Sequence, residues 1–149
     1  MTLTREGDRS REFSRQEKKA GRAPISAEVD YVAGQVVNAA FQVHSRLGPG
    51  LLESVDEVCL VHELTQAGLR VERQVVLPVI YEDISLDAGL RIDVVVEGCI
   101  LIELKAVENI LPVHRAQLLT YLKLSGHRLG LLINFNVPVI KDGIVRMVL

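Results

Sequence analysis

The stretch Arg91–Lys105, RIDVVVEGCILIELK, decides the fold of this chain. Two runs of β-branched residues and leucine stand on either side of Glu97-Gly98, and this composition is typical of strands buried on both faces. The sequence therefore predicts a hairpin at the centre of a sheet. Asp93, Glu103 and Lys105 interrupt its apolar pattern. Because a buried charge is costly unless it is paired or bound to a metal, these three residues need an explanation.

Strand geometry indicates which of these charged side chains lie together. Glu103 and Lys105 are two residues apart and therefore share a face. A three-residue loop, Val96–Gly98, would place its glycine at positive φ and Asp93 opposite Leu101, diagonal to Glu103 on the same face. A two-residue turn would send Asp93 to the other face. We expect the longer loop, which unites the three charges; the alternative is a structural Glu–Lys pair with Asp93 near a strand end.

Length and composition indicate a globular protein. A chain of 149 residues, 48% of them hydrophobic, suits one domain with a sizeable core and excludes a wholly disordered protein. The apolar runs are strand-sized, too short for a membrane span, and the N-terminus lacks the apolar core of a secretory signal. Cys59 and Cys99 lack metal-ligand spacing, so we expect reduced, buried thiols in a cytoplasmic protein.

Charge is unevenly distributed along the chain. Residues 1–22 contain seven basic and four acidic side chains, a net charge of +3, which leaves −5 for the rest of a chain whose total is −2. Such a segment either contacts nucleic acid or another polyanion, or is a solvated leader. We predict a disordered basic leader over residues 1–24 and a single domain over residues 25–149.

Hydrophobic periodicity and capping signals place the other elements. Ser26 is a candidate N-cap for a first helix, which ends at Gly48-Pro49-Gly50. A second helix is predicted over residues 51–67, ending at Gly68. Its predicted inner side consists of leucine, valine and cysteine residues: Leu52, Val55, Val58 or Cys59, and Leu64.

The second half of the chain reads mainly as strands. Residues 69–81 predict one or two strands with an edge or bulge at Pro78, and residues 82–88 a polar connection. A helix over residues 112–125 begins at a proline, a buried strand follows at 128–135, and a turn at Asp142-Gly143 precedes a last strand. The order αα-β-β-β-α-β-β predicts an α/β domain with a mixed sheet flanked by helices.

Three polar residues outside the hairpin are further candidates. Glu53, in the first turn of the second helix, either complements the helix dipole or points back at the sheet as a metal ligand. Gln117 and Tyr121 are four residues apart on one helix face, which fits either a functional pair or an ordinary half-buried tyrosine beside a surface glutamine. The histidines form no zinc-binding cluster, and no nucleotide-binding loop or nucleophile elbow is present.

Taken together, these residues resemble the PD-(D/E)xK nuclease superfamily. Asp93 and Glu103-Leu104-Lys105 match its D…ExK core, Glu53 matches the helix glutamate of its exonuclease-like members, and Gln117-x-x-x-Tyr121 matches their QxxxY motif. The chain is most similar to a small bacterial group named for a GxxExxY motif. The resemblance covers roughly residues 26–149, and the shared text includes LGPGLLES, RIDVVVEG, IELKAV, PVHRAQLLTYLKLSG and LGLLINFNVP.

This resemblance implies a restriction-endonuclease-like fold and a nuclease that depends on Mg²⁺ or Mn²⁺. Asp93, Glu103 and the Leu104 carbonyl would hold the first ion, and Glu53 a second one, directly or through water. Lys105 would position or deprotonate the attacking water, or stabilise the pentavalent phosphate. The implied partner is nucleic acid, with DNA favoured over RNA, and the protein could also form a homodimer or bind another protein.

The glutamine–tyrosine pair extends the resemblance, and one substitution departs from it. Gln117 and Tyr121 would orient the lysine or contact the substrate backbone. The tyrosine that names the GxxExxY group is replaced here by Asp56, which lies one helical turn from Glu53 and is expected on the same side. Two other functions stay open: a nuclease fold that only binds or assembles, and a carboxylate-pair glycosidase, which would give Lys105 no role.

Overall fold

The computed structural model describes residues 23–149, apart from the side chains of residues 87 and 88. Residues 1–22 of the leader predicted over residues 1–24 lie outside the described residues. The elements are, in chain order, α1 (Ala27–Leu47), α2 (Glu53–Gln66), β1 (Val71–Tyr81), β2 (Ile84–Val96), β3 (Ile100–Lys105), α3 (Pro112–Ser125), β4 (Leu129–Asn134), a 3₁₀ turn (Ile140–Gly143) and β5 (Ile144–Val148). This order confirms the predicted αα-β-β-β-α-β-β arrangement.

Within residues 23–149, the strands form one five-stranded mixed sheet in the order β1-β2-β3-β4-β5. Strands β3 and β4 are parallel, and the other neighbours are antiparallel. A parallel pair needs a crossover, and α3 supplies it between β3 and β4. The mixed sheet with flanking helices confirms the predicted α/β class.

The central strands are buried on both faces, as their composition predicts. Helices α1 and α2 cover one face, and α3 covers the other. The larger core, on the α1 and α2 side, includes Val36, Ala40, Leu60, Leu64, Ile102 and Leu104. The smaller core, beneath α3, includes Leu101, Leu118, Tyr121, Leu122 and Leu132.

Capping residues set the ends of α1 and α3. The Ser26 hydroxyl accepts a hydrogen bond from the Val29 N–H at 3.2 Å and confirms the predicted N-cap. Helix α3 begins at Pro112 and ends at Gly126, whose φ of 74° is the left-handed conformation that glycine adopts most easily. None of the helices within residues 23–149 combines the length and apolar character that a bilayer span requires.

The turn of the central hairpin has three residues, but it lies one position later than predicted. Val96 pairs with Ile100, so the loop consists of Glu97, Gly98 and Cys99. Glu97 and Gly98 have φ values of 51° and 61°, and the Cys99 N–H donates to the Val96 carbonyl at 3.0 Å. This hydrogen bond is the one that closes a two-residue turn over Glu97 and Gly98, and Cys99 follows as one extra residue before β3 begins. The extra residue, Cys99, preserves the predicted facing of Asp93.

The predicted inner side of α2 is wrong except at Leu64, which is buried, and Cys59, which packs against the core. Leu52, Val55 and Val58 are exposed, and the helix instead buries Asp56 and Glu57 together with Leu60 and Leu64. The periodicity of the apolar residues is misleading here because the carboxylates are the inward-facing side chains. Helix α2 also begins at Glu53, two residues later than predicted.

Strand β2 begins earlier than the sequence predicts. The predicted polar connection at residues 82–88 is wrong, because only Glu82 and Asp83 separate β1 from β2. The strands form a long hairpin whose register shifts between Leu77 and Val79, which confirms the predicted bulge at Pro78. Gly89 lies against this bulge, and an added Cβ would come within 2.0 Å of the Leu77 carbonyl oxygen.

The two cysteines are free thiols, as predicted, but each is only half-buried. Burial and the neighbouring charge of Glu97 raise the pKa of the Cys99 thiol. A raised pKa keeps this thiol protonated and makes it a poor nucleophile near neutral pH.

Candidate active site

Strands β2 and β3 part at Asp93 and Glu103. The regular pairs between the strands end at Val94 and Ile102. Beyond them, the Asp93 N–H donates to Glu103 Oε1 at 3.3 Å, and the Leu104 N–H donates to Asp93 Oδ2 at 2.8 Å. Carboxylates therefore occupy the places that backbone carbonyls would fill in a continuous ladder. Both acidic groups lie side by side in the gap between the strands.

This arrangement corrects the predicted partner of Asp93. Val95 pairs with Leu101, so Asp93 lies next to Glu103 rather than opposite Leu101. The shift follows from the later position of the turn, because moving the loop by one residue moves each cross-strand partner by two. The predicted common facing of Asp93 and Glu103 is retained, and their contact is closer than a diagonal one.

The backbone of Leu104 adds a carbonyl oxygen to this gap. Its N–H points toward β2, where it meets Asp93, and the N–H and C=O of one strand residue point the same way. The neighbouring carbonyl of Lys105 points toward β4, where it accepts from the Phe135 N–H at 3.1 Å. The Leu104 carbonyl therefore faces the side on which β2 has moved away.

Glu103 is the most strongly perturbed acid of the site. Its residue is only 4% exposed. Burial, followed by the charge of Asp93, raises its pKa from 4.5 to about 8, although Lys105 acts in the opposite direction. Near pH 7 the carboxyl is therefore protonated, and a cation beside it would favour ionisation.

Glu53 reaches the same region from the first turn of α2. Partial burial and then the charge of Asp93 raise its pKa, whereas Lys105 and a hydrogen bond from the Ala106 N–H lower it. Glu53 lines one cavity together with Asp93 and Leu104. It lies among the predicted site residues rather than pointing away from them.

A cavity of about 270 Å³ separates α2 from the parted strands. Its lining combines acids and amides from α2, β1, β2 and β3: Glu53, Ser54, Glu57, Gln74, Asp93 and Leu104. Several acidic groups that face one open cavity create a negative potential that attracts cations.

Behind Glu53 lies a buried network that sequence analysis missed. Glu57 is 7% exposed and accepts hydrogen bonds from Arg73 at 2.9 Å and from the Gln74 amide at 2.6 Å. Gln74 has a φ of 49° and sits across from Asp93 in the β1–β2 register. The spacing of four residues between Glu53 and Glu57 is the available signal, since it places both acids on one helix face.

On the other face of the sheet, α3 brings Tyr121 toward the acids. The Gln117 amide donates to the Tyr121 hydroxyl at 2.8 Å, so the two residues form a direct pair. Burial, followed by the charge of Glu103, raises the pKa of Tyr121. Tyr121 is buried, and Gln117 is at the surface.

Asp56 does not join this group, contrary to the expectation that it faces the same side as Glu53. It is 2% exposed and does not line the cavity. Burial raises its pKa, and the nearest compensating charge is that of His44 on α1. Its Oδ1 has no hydrogen-bond partner among the described residues. Asp56 thus belongs to the α1–α2 interface.

The candidate site offers oxygen atoms that suit a divalent cation. Within residues 23–149, no three His, Cys, Asp or Glu side chains converge closely enough to hold a metal ion alone. The parted strands instead offer two carboxylates and a carbonyl, all hard oxygen donors of the kind that Mg²⁺ prefers. Mg²⁺ usually keeps several waters and takes one or two carboxylates, so Asp93 and Glu103 fit such an ion.

The fold defines the class of this protein: a mixed sheet in this order, flanked by helices, is restriction-endonuclease-like. A sequence model of the PD-(D/E)XK nuclease superfamily matches residues 30–147, which is most of the chain. The chain belongs to this superfamily. Nucleases of the superfamily are typically dependent on divalent metals. Comparison with curated proteins and with solved structures gives no match.

Proposed function

We propose that the protein is a metal-dependent nuclease that hydrolyses phosphodiester bonds in nucleic acid, with DNA as the preferred substrate over RNA. The observation that carries this proposal is the exchange of hydrogen bonds between Asp93, Glu103 and the backbone at the point where β2 and β3 part. Lys105 follows on the same strand, two residues after Glu103. Membership in the GxxExxY group is part of the proposal and rests on the sequence motifs and on Glu53.

The proposed cofactor is Mg²⁺ or Mn²⁺, held by the Asp93 and Glu103 carboxylates and the Leu104 carbonyl, with Glu53 as an additional ligand from α2. When bound, such an ion activates water and neutralises charge that develops on the phosphate. The raised pKa of Glu103 supports this assignment, because an acid that is protonated in the free protein becomes a good ligand once a cation compensates its charge.

The proposed roles of the other residues follow from their chemistry. The Lys105 ammonium positions or deprotonates the attacking water, or stabilises the pentavalent phosphate. Tyr121, hydrogen-bonded to Gln117, orients the lysine or contacts the substrate backbone. The free thiols of Cys59 and Cys99 fit a reducing compartment, and we infer a bacterial cytoplasmic protein whose partner is nucleic acid.

A second candidate function is a nuclease fold that binds or assembles without turnover. Two observations favour it. The described residues contain no set of three acidic or histidine side chains that could hold an ion alone. In addition, Asp56 replaces the tyrosine of the GxxExxY motif and is buried away from the cavity. This candidate predicts binding of nucleic acid without cleavage that depends on Mg²⁺ or Mn²⁺.

A cleavage screen separates the two functions. Single- and double-stranded DNA and RNA are incubated with the protein and Mg²⁺ or Mn²⁺, beside the variants Lys105→Ala and Lys141→Ala. Lys141 is exposed and lies in the 3₁₀ turn, so its variant controls for the loss of one positive charge. We expect cleavage by the wild type and by Lys141→Ala, and none by folded Lys105→Ala. Binding without cleavage by the wild type would support the second candidate.

A further inference from the structure

Asn134, the last residue of β4, has no role in the chemistry described above. The residue is 1% exposed, and its side chain takes part in three hydrogen bonds. The amide nitrogen donates to the Val107 carbonyl at 2.8 Å, and the amide oxygen accepts from the Val107 N–H at 3.1 Å and from the Asn136 N–H at 3.2 Å. One buried side chain thus satisfies both backbone groups of Val107, as a partner strand otherwise would.

These bonds hold the chain at the point where β3 ends. In the register of the parallel pair, Asn134 lies beside Lys105, and the next residue, Phe135, donates its N–H to the Lys105 carbonyl at 3.1 Å. Lys105 and Val107 are therefore both fixed to the end of β4. Ala106 lies between two fixed residues and has little freedom to move.

The fixed segment continues directly from the candidate site, because Lys105 and Leu104 are the last two residues of β3. We propose that Asn134 is a positioning residue that fixes the end of β3 and thereby sets Lys105 at the distance from Asp93 that catalysis requires. This inference rests on the proposed nuclease function. A buried amide is suited to this task, since it combines a donor and an acceptor and carries no charge that would compete for the cation.

The test compares Asn134→Ala and Asn134→Asp with Leu129→Ala. Asn134→Ala removes all three bonds, whereas Asn134→Asp keeps the acceptor oxygens and removes the donor to Val107. Leu129 is fully buried at the opposite end of the same strand, next to Ile100, so its variant controls for general damage to β4. Cleavage is measured below the melting transition of each variant, with kcat and KM determined separately.

We expect both Asn134 variants to lose about tenfold or more in kcat, the usual size of effect for residues that hold metal ligands in place. Leu129→Ala should retain kcat within about twofold of wild type despite its lower melting temperature. In NMR spectra, the amide signals of Lys105 and Ala106 should shift in the Asn134 variants and stay unchanged in Leu129→Ala.

Three results would overturn the role of Asn134. Wild-type kcat in the folded Asn134 variants would contradict it, as would an equal loss of kcat in Leu129→Ala. Failure of both Asn134 variants to fold would make the residue a structural one. If the wild type cleaves no substrate, the proposed function fails, but the NMR signals of Lys105 and Ala106 still decide whether Asn134 positions them.

Discussion

At the level of single residues, the candidate site is built from hydrogen bonds that side chains take over from the backbone. Asp93 and Glu103 occupy positions where the ladder between β2 and β3 would otherwise continue. The backbone N–H groups at this point stay satisfied, so the strands can part without leaving buried donors unpaired. The remaining cost is electrostatic: two acids share a gap, and the free protein lowers that cost by keeping Glu103 protonated.

The raised pKa of Glu103 predicts how stability depends on pH without divalent ions. Because the folded-state pKa is about 8 and the unfolded value is 4.5, the protonated group stabilises the fold fully below pH 4.5. This contribution is lost as the pH rises through about 8. We expect Glu103→Gln to remove this dependence and to exceed wild type in free energy of unfolding by roughly 1–3 kcal/mol at alkaline pH. Urea denaturation of both proteins across the pH range measures the free energy of unfolding. Parallel pH profiles for wild type and Glu103→Gln would contradict this prediction.

The carboxylate pair also predicts a response to divalent cations. An ion that binds only the folded state raises the melting temperature, by several degrees when its concentration is about a hundred times the Kd. We expect Mg²⁺ or Mn²⁺ to raise the melting temperature of the wild type, and more so near pH 8 than near pH 6, because binding requires ionised Glu103. Asp93→Asn should abolish the shift, and Asp142→Asn, at an exposed position, should retain it. An equal shift in both variants would place the ion elsewhere.

At the level of the elements, the sequence predicts the strands of the core better than it predicts the helix that faces the site. The apolar runs of β3 and β4 identify those strands because both faces are buried and each residue contributes. In α2 the signal fails: Asp56 and Glu57 point inward, and Leu52 and Val58 are exposed. Hydrophobic periodicity counts only apolar residues, so it has no means to recognise a buried acid whose partner comes from another element.

The residues of the candidate site also differ in how well the sequence predicts their positions. The proximity of Asp93 and Glu103 can be predicted from the sequence because one hairpin carries both residues. The contribution of Asn134 cannot be predicted in this way, since its partner Val107 lies 27 residues away in the chain and only the parallel pairing brings the two together. The early start of β2 at Ile84 is also hard to recognise, because polar residues alternate with apolar ones there as they do in a half-exposed strand.

The network behind Glu53 predicts a coupling between α2 and β1. Glu57 is buried and pairs with Arg73 at 2.9 Å, so removing the arginine alone leaves an uncompensated buried acid. We expect Arg73→Ala to lower the free energy of unfolding by about 1–3 kcal/mol, less than a fully buried pair would, since Arg73 is half-exposed. Glu57→Gln in the same background should recover part of the loss. A double-mutant cycle by urea denaturation measures the coupling, and additive effects would contradict it.

At the level of the whole molecule, the sheet continues into a two-stranded arm. Strand β2 pairs with β3 only through Val94–Val96, so its earlier residues have β1 as their single neighbour among the described strands. Several large apolar side chains of this arm are exposed: Val76, Ile80, Tyr81, Ile84 and Leu86. A two-stranded ribbon without a covering layer is marginally stable in water.

The arm therefore predicts uneven protection from hydrogen exchange. Amides of β1 and β2 within residues 76–86 should exchange much faster than those of β3 and β4, which are paired on both sides and buried. Hydrogen–deuterium exchange followed by mass spectrometry resolves these segments. The peptide that contains residues 94–96 serves as an internal reference, because there β2 has partners on both edges. Equal protection along the whole of β2 would mean that something covers the arm in solution.

The distribution of charge predicts how the whole chain binds nucleic acid. Residues 23–149 carry a net charge of −5, and residues 1–22 carry +3. If the basic segment contacts phosphates, changing Arg9, Arg11 and Arg15 to Gln, which brings its net charge to zero, should weaken DNA binding at low salt.

The same change should make the plot of log K against log salt less steep, by about 0.9 for each phosphate that the protein no longer neutralises, while kcat at saturating substrate stays constant. Lys141→Gln, which removes one charge from the body of the protein, is the control. Fluorescence anisotropy with labelled duplex DNA from about 50 mM to about 300 mM salt measures both the affinity and its salt dependence. An unchanged slope in the triple variant would mean that residues 1–22 do not contact the phosphates and that binding rests on the proposed cation and the basic residues of the domain.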